Sequence, residues 1–141
     1  MHNELERAKK LLTTGGYTCV ILKGDDCYSS TKRGIAPLMQ YLADTIDLNG
    51  YFAADKVVGK AAAYLYVLLG VAELYAGVIS TPALEVLQRF HISVTYDTLV
   101  PAIRNRTDTG FCPMESAVLD IDDAQKAYHV LKSKVEEMKT K

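Results

Sequence analysis

Apolar positions along the chain follow two rhythms that take turns. Leu5, Ala8, Leu11 and Leu12 recur at helical spacing and predict a helix over Asn3 to Thr13, with Asn3 as N-cap and Glu6 at the capping-box position. Gly15-Gly16 ends it. Tyr17 to Leu22 is then a β-rich run with the look of a central strand. Lys23-Gly24-Asp25-Asp26 supplies a turn and Cys27 to Ser30 a returning strand, which together make a hairpin.

Beyond the hairpin, helical and extended patterns alternate. Ile35, Leu38, Met39, Leu42 and Ile46 predict a helix over 35–46, with Pro37 tolerated in its first turn. Tyr51 to Ala54 reads as a strand, and Val57 to Leu69 as a helix so poor in polar positions that burial on several sides is expected. Val71 to Ile79 is the next strand. Thr81 as N-cap with Pro82 at N1 opens a helix to Phe90, and His91 to Tyr96 is a further strand. A loop, a short helix after Cys112-Pro113 and a terminal helix from Asp123 to Met138, capped by Asp122, complete the pattern. The expected fold is α/β: a three-layer α/β/α sandwich on a mixed sheet that begins with an antiparallel hairpin.

Composition narrows the function classes. The 141 residues, 49% apolar and 23% charged, fit one globular domain over 1–141. Sixteen basic residues against seventeen acidic ones give a net charge of -1, so nucleic acid is not the expected partner. The start, Met1-His2-Asn3-Glu4, lacks the basic and then apolar character of a signal peptide. The longest apolar stretch, Ala61 to Ala72, is too short to cross a bilayer. Cys19, Cys27 and Cys112 form no close pair, which fits a reducing cytoplasm better than a disulfide framework. His2, His91 and His129 are isolated and no metal-binding spacing occurs, so neither a metal nor another cofactor is expected.

Three stretches carry a resemblance. Asp55-Lys56-Val57-Val58-Gly59-Lys60-Ala61-Ala62-Ala63, Arg104-Asn105-Arg106 and Cys112-Pro113-Met114-Glu115 resemble the uncharacterised domain-of-unknown-function family 1893, over about Tyr17 to Ala117. That resemblance implies the cytidine deaminase-like superfamily, whose order of elements matches the pattern above. Zinc deaminases open the buried helix with a His or Cys ligand, carry a Glu two residues later, and place a Pro-Cys-x-x-Cys pair at the next strand-to-helix junction. Here Lys56 and Val58 stand at the first two positions, and Ala83 and Val86 follow Pro82 at the second junction. With neither ligand nor general acid in place, zinc-assisted hydrolytic deamination is excluded by this route. The superfamily also has metal-free branches, so a function remains open.

Candidate sites gather where strands hand over to helices. Asp55, Lys56, Gly59 and Lys60 follow the Tyr51 to Ala54 strand; two lysines at a positive helix start suggest a bound anion, whereas Asp55 as plain cap and two solvated lysines is the bland reading. Ser29 to Gly34, with Lys32 and Arg33, offers hydroxyls and cations but also fits an ordinary surface loop. Ser80 precedes a helix that Thr81 suffices to cap. Arg104, Asn105 and Arg106 would clamp a carboxylate or phosphate, or simply make ion pairs. Cys112 at an N-cap would gain thiolate character, and Glu115 three residues on is the usual capping-box acid. Cys19 and Cys27 read as packing residues, and Tyr64, Tyr66 and Tyr75 need hydroxyl partners if buried.

Three functions follow as expectations. The first is a metal-free domain binding a small anionic, phosphorylated or nucleotide-like molecule through Lys56, Lys60, Arg104 and Arg106, with Asp55, Ser80, Asn105 and Glu115 around them. The second is an enzyme with Cys112 as nucleophile. The third is a homodimeric interaction module without a ligand.

Overall fold

The computed structural model describes residues 3–32, 34–103 and 112–139. Its elements run α1 (Asn3–Thr14), β1 (Cys19–Lys23), β2 (Asp26–Ser30), α2 (Ala36–Ala43), β3 (Phe52–Val58), α3 (Lys60–Leu69), β4 (Glu73–Ser80), α4 (Thr81–Arg89), β5 (Ser93–Val100), α5 (Pro113–Ala117) and α6 (Ala124–Lys139). The five strands form one mixed sheet in the order β2-β1-β3-β4-β5. β1 pairs antiparallel with both β2 and β3, while β3, β4 and β5 run parallel. The expected α/β class and the initial hairpin are therefore present.

Alternating strand residues sort into two apolar layers, because successive side chains leave opposite faces of a strand. Val20, Leu22, Ala54 and Tyr75 pack with Leu5, Ala8 and Leu12 of α1 on one face. Cys19, Ile21, Ala53, Leu74 and Ala76 pack on the other with Leu38 of α2, Leu65 and Leu69 of α3, Leu87 of α4 and Leu131 of α6. Helix α3 is the centre of this second layer. Ala61 through Tyr66 are all buried, as their unbroken apolar run predicts. Gly70 ends the helix in the left-handed conformation, with φ 81°, where a side chain would be strained.

Two boundaries differ from the sequence reading in ways that move candidate residues. β3 does not stop at Ala54 but continues to Val58, and α3 starts at Lys60 rather than Val57. Asp55, Lys56 and Val57 are thus strand residues, not a helix-opening turn. The alternation slips by one within this segment: Asp55 and Val58 are both inward, while Lys56 and Val57 between them are exposed. The slip needs Gly77 on the neighbouring strand, since a Cβ there would lie 2.8 Å from the Lys56 carbonyl. At the other edge, β5 extends past Tyr96 to Val100. The terminal helix takes its cap from Asp123, whose carboxylate accepts from the Gln125 N–H at 2.9 Å, and not from Asp122. Among the described residues no helix is long and apolar enough to cross a membrane.

Candidate functional site

Because β3, β4 and β5 are parallel, Val58, Ser80 and Val100 end on the same side of the sheet, and α3 and α4 begin there. A cleft of about 180 Å³ opens between these ends. Pro82, Pro101, Ala102, Ile103 and Leu119 give it apolar walls, and Lys60, Ser80, Glu115 and Ser116 supply its polar groups. A largely apolar cleft with a few convergent polar atoms, at the carboxyl end of parallel strands, is the usual form of a small-molecule site in an open α/β sheet.

Glu115 is the organising residue. Its carboxylate accepts from the Lys60 N–H at 2.6 Å and the Ala61 N–H at 2.8 Å, so a side chain of α5 caps α3. Gly59, the N-cap, has no side chain with which to cap the helix itself, and a Cβ at this position would lie 2.4 Å from the Glu115 carboxyl. Burial raises the Glu115 carboxyl above its ordinary range; the two N–H donors and the Lys60 charge pull the other way. Lys60 extends its ammonium to the Leu119 carbonyl at 2.7 Å, which ties the end of the α5 segment to the same place. The expected role of Glu115 inside its own helix is corrected: it caps a helix 54 residues earlier in the chain, measured to Ala61.

Ser80, not Thr81, is the cap of α4. Its fully buried hydroxyl accepts from the Ala83 N–H at 3.2 Å. Thr81 instead donates to the Val100 carbonyl at 3.4 Å. Cys112 sits half-buried at the start of α5, where its N–H donates to the Ile103 carbonyl at 3.2 Å. That helix spans five residues, too short to lend a thiol much of the field expected from a helix start.

The structure thus brings Lys60, Ser80 and Glu115 to one cleft and sends Asp55 and Lys56 elsewhere. Asp55 is buried under the α3 layer, where its carboxyl accepts from the Tyr66 hydroxyl at 2.6 Å. Tyr66 in turn lies 3.3 Å from the Cys19 sulfur. Burial pushes Asp55 up to about 7 and holds the Cys19 and Tyr66 groups well above their ordinary values. Lys56 is exposed on β3. Arg104, Asn105 and Arg106 lie outside the described residues, as does Arg33 of the Ser29 to Gly34 segment. Ser29 and Ser30 of that segment belong to β2, two strands from β3. Cys27 is exposed, against the expectation of a packing residue, whereas Cys19 is buried.

The hydroxyls of Tyr64, Tyr66 and Tyr75 all have partners within the fold. Tyr64 donates to the Ile121 carbonyl at 2.7 Å and Tyr75 to the Asp97 carboxylate. Sequence reading missed the apolar wall of the cleft; Pro82 and Pro101, each just past a strand end, were the available signal. Among the described residues no three His, Cys, Asp or Glu side chains group closely enough to hold a metal ion.

Residues 7–135 match the family described as "Domain of unknown function (DUF1893)". The chain belongs to that family. A solved structure agrees: the crystal structure of a DUF1893 family protein (TM1506) from Thermotoga maritima superposes with a TM-score of 0.89. It is 28% identical, and the match covers 95% of this chain and 91% of that one. A search of curated proteins found no match. The DUF1893 description names no activity, so the cleft has to be read from its own chemistry.

Proposed function

We propose that this DUF1893 domain binds a small molecule bearing a phosphate or other anionic group in the cleft between α3, α4 and α5. The observation that carries the reading is the meeting of Lys60, Ser80 and Glu115 in one apolar-walled cleft at the carboxyl ends of β3, β4 and β5. Lys60 supplies the positive charge, Ser80 caps the α4 start behind the cleft wall, and Glu115 fixes the α3 start that presents Lys60. At about 180 Å³ the cleft suits a phosphorylated metabolite of a few carbons or a single base, and is too small for a dinucleotide. Arg104 and Arg106 join the proposal from the sequence alone.

The strand order and the central buried helix support membership of the cytidine deaminase-like superfamily. Lys56, Val58, Ala83 and Val86 stand where that superfamily's zinc deaminases carry their ligands and glutamate, so the proposed chemistry is binding without zinc. Thiol chemistry at Cys112 is the second reading. Its support is partial exposure beside the rim residue Ile103; Glu115, engaged on α3, would have to leave that helix to act as its base.

A thermal-shift screen of phosphorylated metabolites tests the first reading. A ligand at a hundred times its Kd stabilises the folded state by about 2.7 kcal/mol, which a melting curve resolves. The expected result is a concentration-dependent rise in Tm that Lys60→Met removes. The reading fails if no compound shifts the wild type, or if Lys60→Met responds equally. For Cys112, alkylation that accelerates only near the ordinary thiol pKa of about 8.5 would end the second reading.

A further inference from the structure

Strand β5 closes one edge of the sheet. Val94 packs on the core and α4 lies against the strand, but among the described residues no strand pairs with its outer edge and most of its side chains are exposed. Six of its eight residues are exposed, and Val94 and Val100 are half-buried. α1 covers the neighbouring strands on one face without reaching it. Tyr96 is 40% exposed and Leu99 45%, two of the five large apolar side chains left at the surface among the described residues. Edge strands of monomeric proteins are normally shielded by lysines, prolines, bulges or brevity. Within Ser93 to Val100 there is no lysine, arginine or proline, and eight residues is long for an edge.

We propose that β5 is a homodimerisation edge: two copies pair their β5 strands antiparallel about a two-fold axis at Tyr96, fusing two five-stranded sheets into one. The choice of a second copy rests on charge and register. A two-fold axis normal to the sheet pairs residues that share a face, so the axis passes through a single residue of each strand. Centred on Asp97, it would set the strand's only charged side chain directly against itself. Centred on Tyr96, it sets Tyr96 on Tyr96, Thr95 opposite Asp97, Val94 opposite Thr98 and Ser93 opposite Leu99. Asp97 then faces a hydroxyl, while its carboxylate keeps the Tyr75 hydroxyl of the same face. The opposite edge is a poorer match for β5. β2 is five residues long and begins at Asp26, which the Tyr51 hydroxyl holds at 2.8 Å.

Sedimentation velocity of the full chain over a wide concentration range is the test. The expected result is a monomer–dimer equilibrium with no larger species, and loss of the dimer in Tyr96→Lys, which opposes two ammonium groups on the axis. Should Tyr96→Lys fail to fold, cysteine pairing decides. In a Cys27→Ser, Cys112→Ser background, Tyr96→Cys should crosslink into a dimer on mild oxidation, because its Cβ atoms are directly opposed, while Ser93→Cys should not. A wild type that stays monomeric at every concentration overturns the proposal. So does a dimer that Tyr96→Lys leaves intact, an open-ended ladder of oligomers, or equal crosslinking at the two positions.

Discussion

Asp55 and Glu115 are both carboxyl groups pressed against helix α3, and both are lifted above their ordinary range by burial. Their partners make them different. Glu115 meets two backbone N–H groups at the positive end of the helix, with the Lys60 ammonium nearby, and each of these favours the ionised form. Asp55 lies deeper, beside the Tyr66 hydroxyl at 2.6 Å and a weaker contact from the Val57 N–H at 3.3 Å. No positive side chain lowers it, and burial carries it up to about 7. At one end of α3 the upward push of burial is therefore opposed by two helix N–H groups and a lysine, while in its middle no positive side chain opposes it. What decides is the donor set, not burial alone.

The largest expected effect is the pH dependence of Asp55. Its folded pKa lies above its unfolded value of 3.8, so the native state holds the proton more tightly. That contribution to stability is complete below the unfolded value and is lost as pH rises through about 7. A rise from 3.8 to about 7 corresponds to roughly 4 kcal/mol. Asp55→Asn keeps an acceptor for Tyr66 and has no proton to lose. Urea unfolding between acid and mildly alkaline pH should therefore show wild type losing stability relative to Asp55→Asn across that window. Parallel pH profiles of the two proteins would mean that Asp55 titrates as an ordinary surface acid, and the contrast with Glu115 would collapse.

Breaking the other carboxylate comes next. Glu115→Ala removes two charge-assisted hydrogen bonds from the start of α3 and should cost about 2–3 kcal/mol, with faster amide exchange at Lys60 and Ala61. Gly59→Ala should cost nearly as much without touching the carboxylate, because the added Cβ takes the space its oxygens occupy. Since both changes abolish one contact, the double variant should lose little more than either single one, whereas independent sites would add. Additive losses would show that Gly59 and Glu115 act separately.

How far these features were legible depends on how local their causes are. The hairpin, the buried α3 and the strand–helix alternation rest on spacing within a dozen residues, and pattern reading finds them. The end of β3 was misplaced because Asp55-Lys56 has the composition of a turn. The strand continues through it since Tyr66, on the next element, receives the Asp55 carboxyl in the core. The need for tyrosine partners could be read from residue type, but which acid or carbonyl meets each hydroxyl could not. Glu115 matched a local capping-box pattern closely enough to hide its real partner, the start of α3. Lys60, Ser80 and Glu115 were all singled out as residues; that they share one cleft, without Asp55 and Lys56, is a product of the sheet order.

The smallest expected effect sharpens the comparison from the neighbouring helix. Ser80 caps α4 as Glu115 caps α3, but with a neutral hydroxyl, one hydrogen bond and a longer distance of 3.2 Å. Pro82 in the first turn of α4 has no N–H, so fewer donors wait for a cap than at α3. Ser80→Ala should then cost about 1 kcal/mol, the ordinary value for a lost serine cap. The site is fully buried, and the Ala83 N–H left behind has no easy route to water, which keeps the loss from vanishing. Charge separates the two caps further. The cost of Glu115→Ala should grow in acid, because burial raises the folded carboxyl and the native state then holds the proton more tightly than the unfolded chain does. The cost of Ser80→Ala should stay level across the same range, because a hydroxyl cap has no proton to gain. Denaturation of both variants at several pH values reads the two slopes directly, and a Ser80→Ala loss that matched Glu115→Ala in size and pH dependence would mean that ionisation contributes nothing to the α3 cap.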